Sequence, residues 1–339
     1  MNRVQKLFVI LILTSLAGCA GPRVSDKRPE WVDNLHPDFP SEQYLTGHGM
    51  AKERAAAEDR ARADLAKIFK VRVSEFTTDS TAFSSSSSQE EETTESRANI
   101  SRNVIATTDE VISGVEISDV WLDPDTNNYY AFAMLSRQRA ATSLRGEMQV
   151  LDDKTRQFIA QSQASENLFA KIAAASRAVD SQYQRAASNR YYTIVSHTGQ
   201  ALPTRYALGE LEADLAELFA RMTIRIQAVG ENPRMVNELL AGAVANSGMT
   251  VSYSGQYTAR AELEYELLPK TDGWFWIRGR LVFSLLDYET NSLGIKEWPL
   301  KVAGTEKATV RTRLFNKIDS LLSSELGRTI IAFAADNTE

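Results

Sequence analysis

The only thiol in the 339-residue sequence belongs to Cys19, which closes a short amino-terminal pattern. Arg3 and Lys6 form a basic head, and residues 7–16 form an apolar run. A run of roughly 10 residues is too short to cross a bilayer, which takes about 20 helical residues, but it suits the apolar part of an export signal. With no second cysteine an internal disulfide is impossible, so the chemistry open to this sulfur is covalent modification.

The segment Leu16-Ala17-Gly18-Cys19 resembles a bacterial lipobox. The resemblance implies that the chain is cut before Cys19, that its thiol is diacylated, and that the new amino terminus is usually acylated as well. In similar lipoproteins of diderm bacteria an aspartate after the cysteine favours the inner membrane; Ala20 stands here, which points to the outer membrane, facing the periplasm. The alternative is an ordinary export signal followed by an unmodified cysteine.

Gly47-His48-Gly49 is placed where phosphate-binding loops occur, between a predicted strand and a predicted helix. A dinucleotide fingerprint would require Gly or Ala at the position of Lys52. A Walker loop would require four residues between its glycines and a Lys-Ser/Thr pair after the second. Neither pattern is met, so we predict that the glycines permit a tight turn from strand to helix.

Other residue types that carry chemistry show no catalytic spacing. His36, His48 and His197 lack the spacing of metal ligands, and no G-x-S-x-G motif is present. The carboxylates at 90–92 and 152–153 form runs typical of solvated faces. Glycosidase chemistry needs two carboxylates opposed across a cleft, which sequence spacing does not place. We therefore expect no enzyme activity, no metal and no other cofactor.

Two aromatic clusters are candidates for binding. Adjacent residues of a strand point to opposite faces, so Trp274-Phe275-Trp276 leaves at least one ring away from its neighbour. Tyr191-Tyr192 lies where a long predicted helix ends. Such rings either complete a core or form a platform for a protein partner, because aromatic residues often dominate interface energies.

The composition is that of a folded, acidic protein. Apolar residues make up 43% and charged residues 24% of the chain, as in ordinary globular proteins. The formal charge of −6 argues against broad nucleic-acid binding, which relies on clustered Lys and Arg. After residue 16, no stretch approaches the length and apolarity of a membrane-spanning helix.

The first third of the mature chain predicts a small α+β domain. An alanine-rich run without Gly or Pro predicts a helix over residues 51–69, packed through a narrow face of small residues. That face comprises Ala55, Ala56, Ala63, Ala66 and Ile68. Val71, Val73 and Phe76 begin a predicted strand, and residues 77–96 form a Ser/Glu-rich loop. Alternation on both sides of an Asp/Pro/Asn turn predicts a hairpin in which Trp121 and Tyr129 pair.

These features resemble the LPP20 lipoprotein family, which consists of small bacterial envelope lipoproteins. The matching residues are Pro29, Trp31, Val32, Tyr44, Leu45, Gly47, Gly49 and Ala51, extended by the strands between Gly114 and Leu135. The family is related in places to flagellar outer-membrane accessory lipoproteins. The resemblance implies a structural motif and transfers no catalytic residue.

The remainder predicts a helical connector and a second domain. Apolar residues recur at intervals of three and four over residues 136–189, which predicts one long helix or two joined helices. This helix either packs on a neighbour, such as residues 208–218, or forms a coiled coil with itself. From residue 222 a β-α-β-β-β-α order follows, with a closing helix over 305–335, and its layout is similar to the TolB-like amino-terminal fold.

The predicted class is thus α+β, with two small domains joined by helices after a lipoprotein signal. The expected boundaries are residues 1–18 for the signal peptide, 19–28 for the acylated tether, 29–135 for the first domain, 136–220 for the connector and 221–339 for the second domain. The expected function is a membrane-anchored structural or accessory component of the envelope, with a flagellar or peptidoglycan-associated protein as partner. The alternatives are a module that binds cell-wall glycan or another ligand, and a hydrolase; the oligomeric state stays open.

Overall fold

The computed structural model describes residues 27–33, 36–84 and 114–336. This part of the chain contains both helices and sheets, which confirms the predicted α+β class. The chain divides into two compact units, one formed by residues 1–74 and 110–140 and the other by residues 75–109 and 141–339. Within the described ranges, no helix combines the length and apolar composition needed to cross a bilayer.

The first unit is built on a three-stranded antiparallel sheet in the order β1-β3-β2. Its strands are β1 (Tyr44–Ala51), β2 (Glu116–Leu122) and β3 (Tyr129–Ser136). The predicted hairpin is confirmed, and its turn is held by Asp123, whose carboxylate accepts bonds from the Asp125 N–H (3.0 Å) and the Thr126 hydroxyl (2.7 Å).

The register of this hairpin differs by one residue from the predicted one. Trp121 lies opposite Tyr130, with ring centroids 5.5 Å apart, and Tyr129 lies opposite Leu122. The Asp, Pro and Asn residues indicate the turn but not its exact length. The length of the turn sets the register, and therefore which rings lie opposite each other across the strands.

Helix α1 (Arg54–Ser84) is longer than the sequence predicted. The strand expected at Val71, Val73 and Phe76 is wrong, because the helical backbone continues to Ser84 and includes residues 77–84 of the expected Ser/Glu-rich loop. No Gly or Pro occurs between Arg54 and Ser84 to end the helix, and three apolar residues within six positions are too few to distinguish strand from helix. The rest of the expected loop, residues 85–96, lies outside the described residues.

The face by which α1 packs also differs from the predicted one. The fully buried positions are Ala57, Ala61, Leu65 and Phe69, spaced by four residues as one helical stripe requires. Of the five residues predicted to form the face, Ala55 and Ala63 are exposed, whereas the other three are half-buried at the flanks. The expectation of small residues at the contact is met by Ala57 and Ala61 instead.

The second unit begins with a helical hairpin. Helix α2 (Arg137–Ala164) and helix α3 (Leu168–Val195) are separated by a short break in which Asn167 caps α3 by accepting from the Phe169 and Ala170 N–H groups. Thus the long helix is not continuous: α3 folds back along α2, as the Arg145–Tyr192 contact shows.

Polar groups are buried between these two helices. Arg185 is 5% exposed and its Nε lies 2.8 Å from a carboxylate oxygen of Asp152, while its Nη2 donates to the Pro203 carbonyl. Gln182 donates to Asp152 and to the buried Thr155 hydroxyl. Arg185, Gln182 and Thr155 therefore each have at least one partner that compensates for lost hydration. The Arg185 Nε–H itself is poorly aligned with the Asp152 carboxylate.

The rest of this unit is a five-stranded mixed sheet in the order β5-β4-β6-β7-β8. Its elements are α4 (Leu208–Ala220), β4 (Thr223–Gly230), α5 (Pro233–Asn246), β5 (Thr250–Val251), β6 (Tyr257–Thr271), β7 (Trp274–Leu286), β8 (Ser292–Gly304) and α6 (Lys307–Asp336). One face of the sheet packs on α5 and α6, and α3 adds Phe169 and Ile172 to the same core. The helices expected to form a connector thus contribute to the core of the second unit.

Candidate functional site

The residues predicted to carry the lipid cannot be placed in the fold. Cys19 and the lipobox residues Leu16, Ala17 and Gly18 lie outside the described residues. The described chain begins at Lys27, eight positions after the cysteine. The segment that follows them is described from Lys27 onward and is attached to the first unit.

That segment, residues 28–33 with 36–39, covers the sheet face opposite α1, and we call it the amino-terminal cover. Pro29 precedes a 3₁₀ turn (Glu30–Val32) that places the Trp31 indole against Phe132, with ring centroids 5.8 Å apart. Trp31 is 7% exposed. Tyr44 packs edge-on against Phe39 at 5.1 Å. The family-motif residues Pro29, Trp31 and Tyr44 therefore hold the cover on the sheet.

Arg28 fastens the start of the cover. Its guanidinium donates two bonds of 2.6 Å to the Asp33 carboxylate and lies 5.3 Å from the Tyr130 ring and 5.8 Å from the Trp121 ring. This bidentate ion pair lowers the pKa of Asp33 below its ordinary value. Sequence reasoning missed this contact, although an Arg and an Asp five positions apart around Pro-Glu-Trp-Val were visible.

Gly47 and Gly49 lie within β1 and not in a turn, so the predicted reason for them is wrong. A Cβ atom at Gly47 would stand 2.5 Å from the Ala61 carbonyl oxygen and 2.6 Å from the Leu65 nitrogen. A Cβ atom at Gly49 would overlap the backbone of Ala57 and Ala61. The glycines are required because α1 lies directly on the backbone of β1.

The same close approach lets α1 bind the free edge of β1. The Asp64 carboxylate accepts from the His48 N–H at 3.2 Å, and the Arg60 guanidinium donates to the Met50 carbonyl at 2.5 Å. These side chains occupy edge groups that would otherwise be open to pairing with another strand. The Gly47-His48-Gly49 motif thus serves packing.

The three histidines do not form one site. His36 is buried in the cover, where its Nδ1 accepts from the Asp38 N–H (3.2 Å) and its Nε2 faces the Asp119 carboxylate (3.2 Å). His48 and His197 are exposed. In the described ranges, no group of three or more His, Cys, Asp or Glu side chains is arranged to hold a metal ion.

Of the carboxylate runs, only the second is described. Asp152 is paired with Arg185, whereas Asp153 forms a surface pair with Arg156 at 2.9 Å. Residues 90–92 lie outside the described part of the chain. Both described carboxylates are thus engaged by cations of the helical hairpin.

The two aromatic clusters have different environments. Tyr191 and Tyr192 are buried at the end of α3, and the Tyr192 hydroxyl accepts from Arg145 at 3.0 Å, so they belong to a core. Trp274 is 42% exposed and shares the outer face of β7 with Trp276, while Phe275 points to the inner face. The sequence prediction that the three rings divide between opposite faces agrees with this arrangement.

Cations lie beside the rings on both faces of this hairpin end. Lys301 Nζ lies 5.0 Å from the Trp276 ring on the outer face, whereas Lys270 and Lys307 lie 5.4 and 5.6 Å from the ring of the inward-facing Phe275. The set is named here the Trp274 patch and comprises Lys270, Trp274, Phe275, Trp276, Arg278, Lys301 and Lys307. The patch combines exposed aromatic area with cations that have no carboxylate within 4.0 Å among the described residues.

Comparison with known proteins places the first unit in a family. Residues 29–136 match the model of the LPP20 lipoprotein family, about a third of the chain. No curated protein sequence matches. The match confirms the resemblance inferred from Pro29, Trp31 and the glycines, and it supports interpretation of the chain as a bacterial lipoprotein.

Comparison with solved structures finds matches among proteins from several bacteria. The chain is similar to a secreted protein from Helicobacter pylori, with a TM-score of 0.42 and 15% identity, covering 84% of this chain and 97% of that one. It is also similar to a minor lipoprotein from Acinetobacter baumannii, with a TM-score of 0.25 and 11% identity over 34% of this chain and 92% of that one. A third is PelC from Paraburkholderia phytofirmans, with a TM-score of 0.25 and 10% identity over 32% and 86%. By this match, residues 29–136 of the chain are similar to the LPP20 lipoprotein family.

Proposed function

We propose that this protein is an accessory lipoprotein of the bacterial envelope, anchored by acyl chains on Cys19 in the outer membrane and facing the periplasm. In this proposal the first unit holds the protein close to its anchor. The second unit presents binding surfaces to another envelope component, for which flagellar and peptidoglycan-associated proteins are the candidates. The role is to position a partner, with no reaction of its own.

The observation that carries this proposal is the role of the family-motif residues in packing the first unit. Trp31 and Tyr44 fasten the amino-terminal cover, and Gly47 and Gly49 seat α1 against β1. The segment that matches the LPP20 family model thus begins ten positions after the predicted lipid-bearing cysteine, and its motif residues pack the first unit together. A folded domain placed directly after a lipid anchor is well positioned to hold a partner protein at the membrane.

Replacement of Cys19 by serine tests the anchor. Acylation by two or three chains makes membrane attachment effectively permanent, whereas each buried methylene contributes only about 0.8 kcal/mol. The Cys19→Ser protein should lose incorporation of labelled palmitate, fail to be processed and no longer co-fractionate with outer membranes through an acyl chain. Normal processing and equally firm outer-membrane association would contradict the proposal.

Crosslinking in cells tests the accessory role. A photoreactive residue in place of an exposed residue of the second unit, such as Tyr253, should yield discrete adducts with one or a few envelope proteins. The matched control carries the same group at Glu42 in the first unit. If only muropeptides co-purify and no protein adduct forms at either site, the protein is a glycan-binding module and the accessory role is wrong.

A further inference from the structure

The end of the second unit that carries the Trp274 patch differs from the rest of the outer sheet face in its charge pairing. In the middle of that face Arg280 pairs with Glu264 at 2.8 Å and with Glu297 at 3.6 Å, so cations and carboxylates alternate and compensate. At the hairpin end, Lys301 lies beside Trp276 on the outer face, and Lys270 and Lys307 lie beside the inward-facing Phe275. Among the described residues, none of these three lysines has a carboxylate within 4.0 Å. Arg278 lies directly opposite Glu266 in the β6–β7 register without an ion pair within 4.0 Å.

Much of the patch lies at the exposed tip of the β6–β7 hairpin. Residues 269–274 are exposed without interruption and include the turn residues Asp272 and Gly273, both at positive φ. The register shift between Leu268 and Thr271 places extra residues, including Lys270, on one strand of this tip. A small molecule needs a concave site that surrounds it. An exposed hairpin tip can instead contact an extended, flat surface.

Its chemistry is that of a membrane interface. Tryptophan prefers the boundary between headgroups and acyl chains, since one side of its ring system is apolar and its N–H is polar. Lysine and arginine keep their charges in the headgroup layer while their aliphatic stems cover apolar area. Four cations oppose Asp272, Glu266 and the nearby Glu306, which leaves this end weakly basic in a chain of charge −6.

We propose that the Trp274 patch binds the surface of a bilayer that contains anionic lipids. The proposal rests on the proposed function only in this respect: an acylated chain is already held near a membrane, which raises the effective concentration of headgroups around the patch. A second contact of modest affinity then suffices to hold the second unit at the surface. The binding itself does not require the acyl group.

Co-sedimentation with vesicles tests this on the mature chain, residues 19–339, carrying Cys19→Ser so that no acyl chain contributes. Vesicles of phosphatidylglycerol and phosphatidylcholine should bind the protein, and vesicles of phosphatidylcholine alone should bind it at least about tenfold more weakly. Trp274→Ala should weaken binding to the anionic vesicles by about tenfold because the exposed apolar area is lost. Lys301→Gln should weaken binding by about fivefold.

Matched variants at the opposite end of the same sheet give the controls. Tyr288 is 78% exposed in the β7–β8 loop, and Lys296 is an exposed lysine of β8. Tyr288→Ala and Lys296→Gln should leave binding within about twofold. Equal losses at both ends, or unchanged binding of Trp274→Ala, would overturn the proposal. So would Trp274-dependent retention on isolated peptidoglycan with none on vesicles, which would assign the patch to glycan. None of these outcomes depends on whether Cys19 is acylated in cells.

Discussion

Gly47 and Gly49 determine how closely α1 approaches β1. Alanine at Gly49 would place a methyl group against the backbone of Ala57 and Ala61. Helix α1 and strand β1, which are joined by the Arg60–Met50 hydrogen bond, cannot move apart without a cost in free energy. We expect Gly49→Ala to lower the free energy of unfolding by about 2–3 kcal/mol, measured by urea denaturation.

Gly146 in α2 is the matched control, because a Cβ atom there meets nothing within 4 Å. Its backbone is helical, where alanine is favoured over glycine by up to about 1 kcal/mol. Gly146→Ala should therefore leave stability unchanged or raise it. If both substitutions shift the urea midpoint in the same direction, the glycines of β1 are not required for close packing.

The Arg28–Asp33 pair makes attachment of the amino-terminal cover dependent on pH. Its guanidinium lowers the pKa of Asp33 from 3.8 through the hydrogen-bonded ion pair. A group with a lowered folded pKa contributes stability above its unfolded value, and this contribution is lost as the pH falls through the folded value. The Trp31 indole N–H signal in NMR should therefore broaden or shift in acid, below pH 3.8.

Asp33→Asn removes the titrating carboxylate and is the control for that measurement. In this variant the Trp31 signal should already be altered at neutral pH, with no further transition attributable to residue 33 in acid. An acid transition of the same midpoint in both proteins would assign the effect to a group other than Asp33.

At the scale of the elements, the α2–α3 hairpin is held together by polar groups as well as by apolar packing. Replacing Arg185 by leucine would leave the Asp152 carboxylate with Gln182 as its remaining partner between the helices. Removing one member of a buried pair is costly, so Arg185→Leu should lower the free energy of unfolding by about 2–3 kcal/mol.

The surface pair on the same helix gives the comparison for this prediction. Arg156 and Asp153 are 61% and 48% exposed at their side chains, and exposed pairs contribute at most about 1 kcal/mol. Arg156→Leu should therefore have an effect several times smaller than that of Arg185→Leu in the same urea titration. Equal effects would mean that burial does not govern the contribution of these ion pairs.

How far the sequence predicts an element depends on the range of the interactions that define it. The β-hairpin around Asp123 and most strands after residue 222 follow from local alternation and turn residues. The described part of the chain after residue 222 has five strands, one more than the predicted β-α-β-β-β-α order. The end of α1 and the break before Asn167 do not follow from such local signals, since polar residues such as Ser165 are common in helices. The attachment of Arg28 to the sheet depends on its contact with the Tyr130 ring, about a hundred positions away in sequence. Residue spacing alone does not reveal such a contact.

At the scale of the whole molecule, the distance from the proposed anchor to the first unit is limited by chain length. Arg28 lies nine positions after Cys19 and is fixed on the sheet through Asp33 and Tyr130. At about 3.4 Å per residue this segment reaches at most about 30 Å. An acylated protein therefore keeps its first unit within one domain diameter of the bilayer, whatever its second unit binds.

Energy transfer from headgroup-labelled lipid to a dye on the Glu42→Cys variant measures this separation, since Glu42 is exposed and an acylated Cys19 does not react. Transfer should be efficient in the acylated protein and should fall when twenty Gly/Ser residues are inserted after Ala20, because the root-mean-square length of a flexible chain grows with the square root of its length. The same insertion should not alter the urea midpoint, as it leaves the Arg28–Asp33 pair intact. Unchanged transfer after insertion would mean that contacts of the first unit with the membrane, and not the length of the tether, set its position.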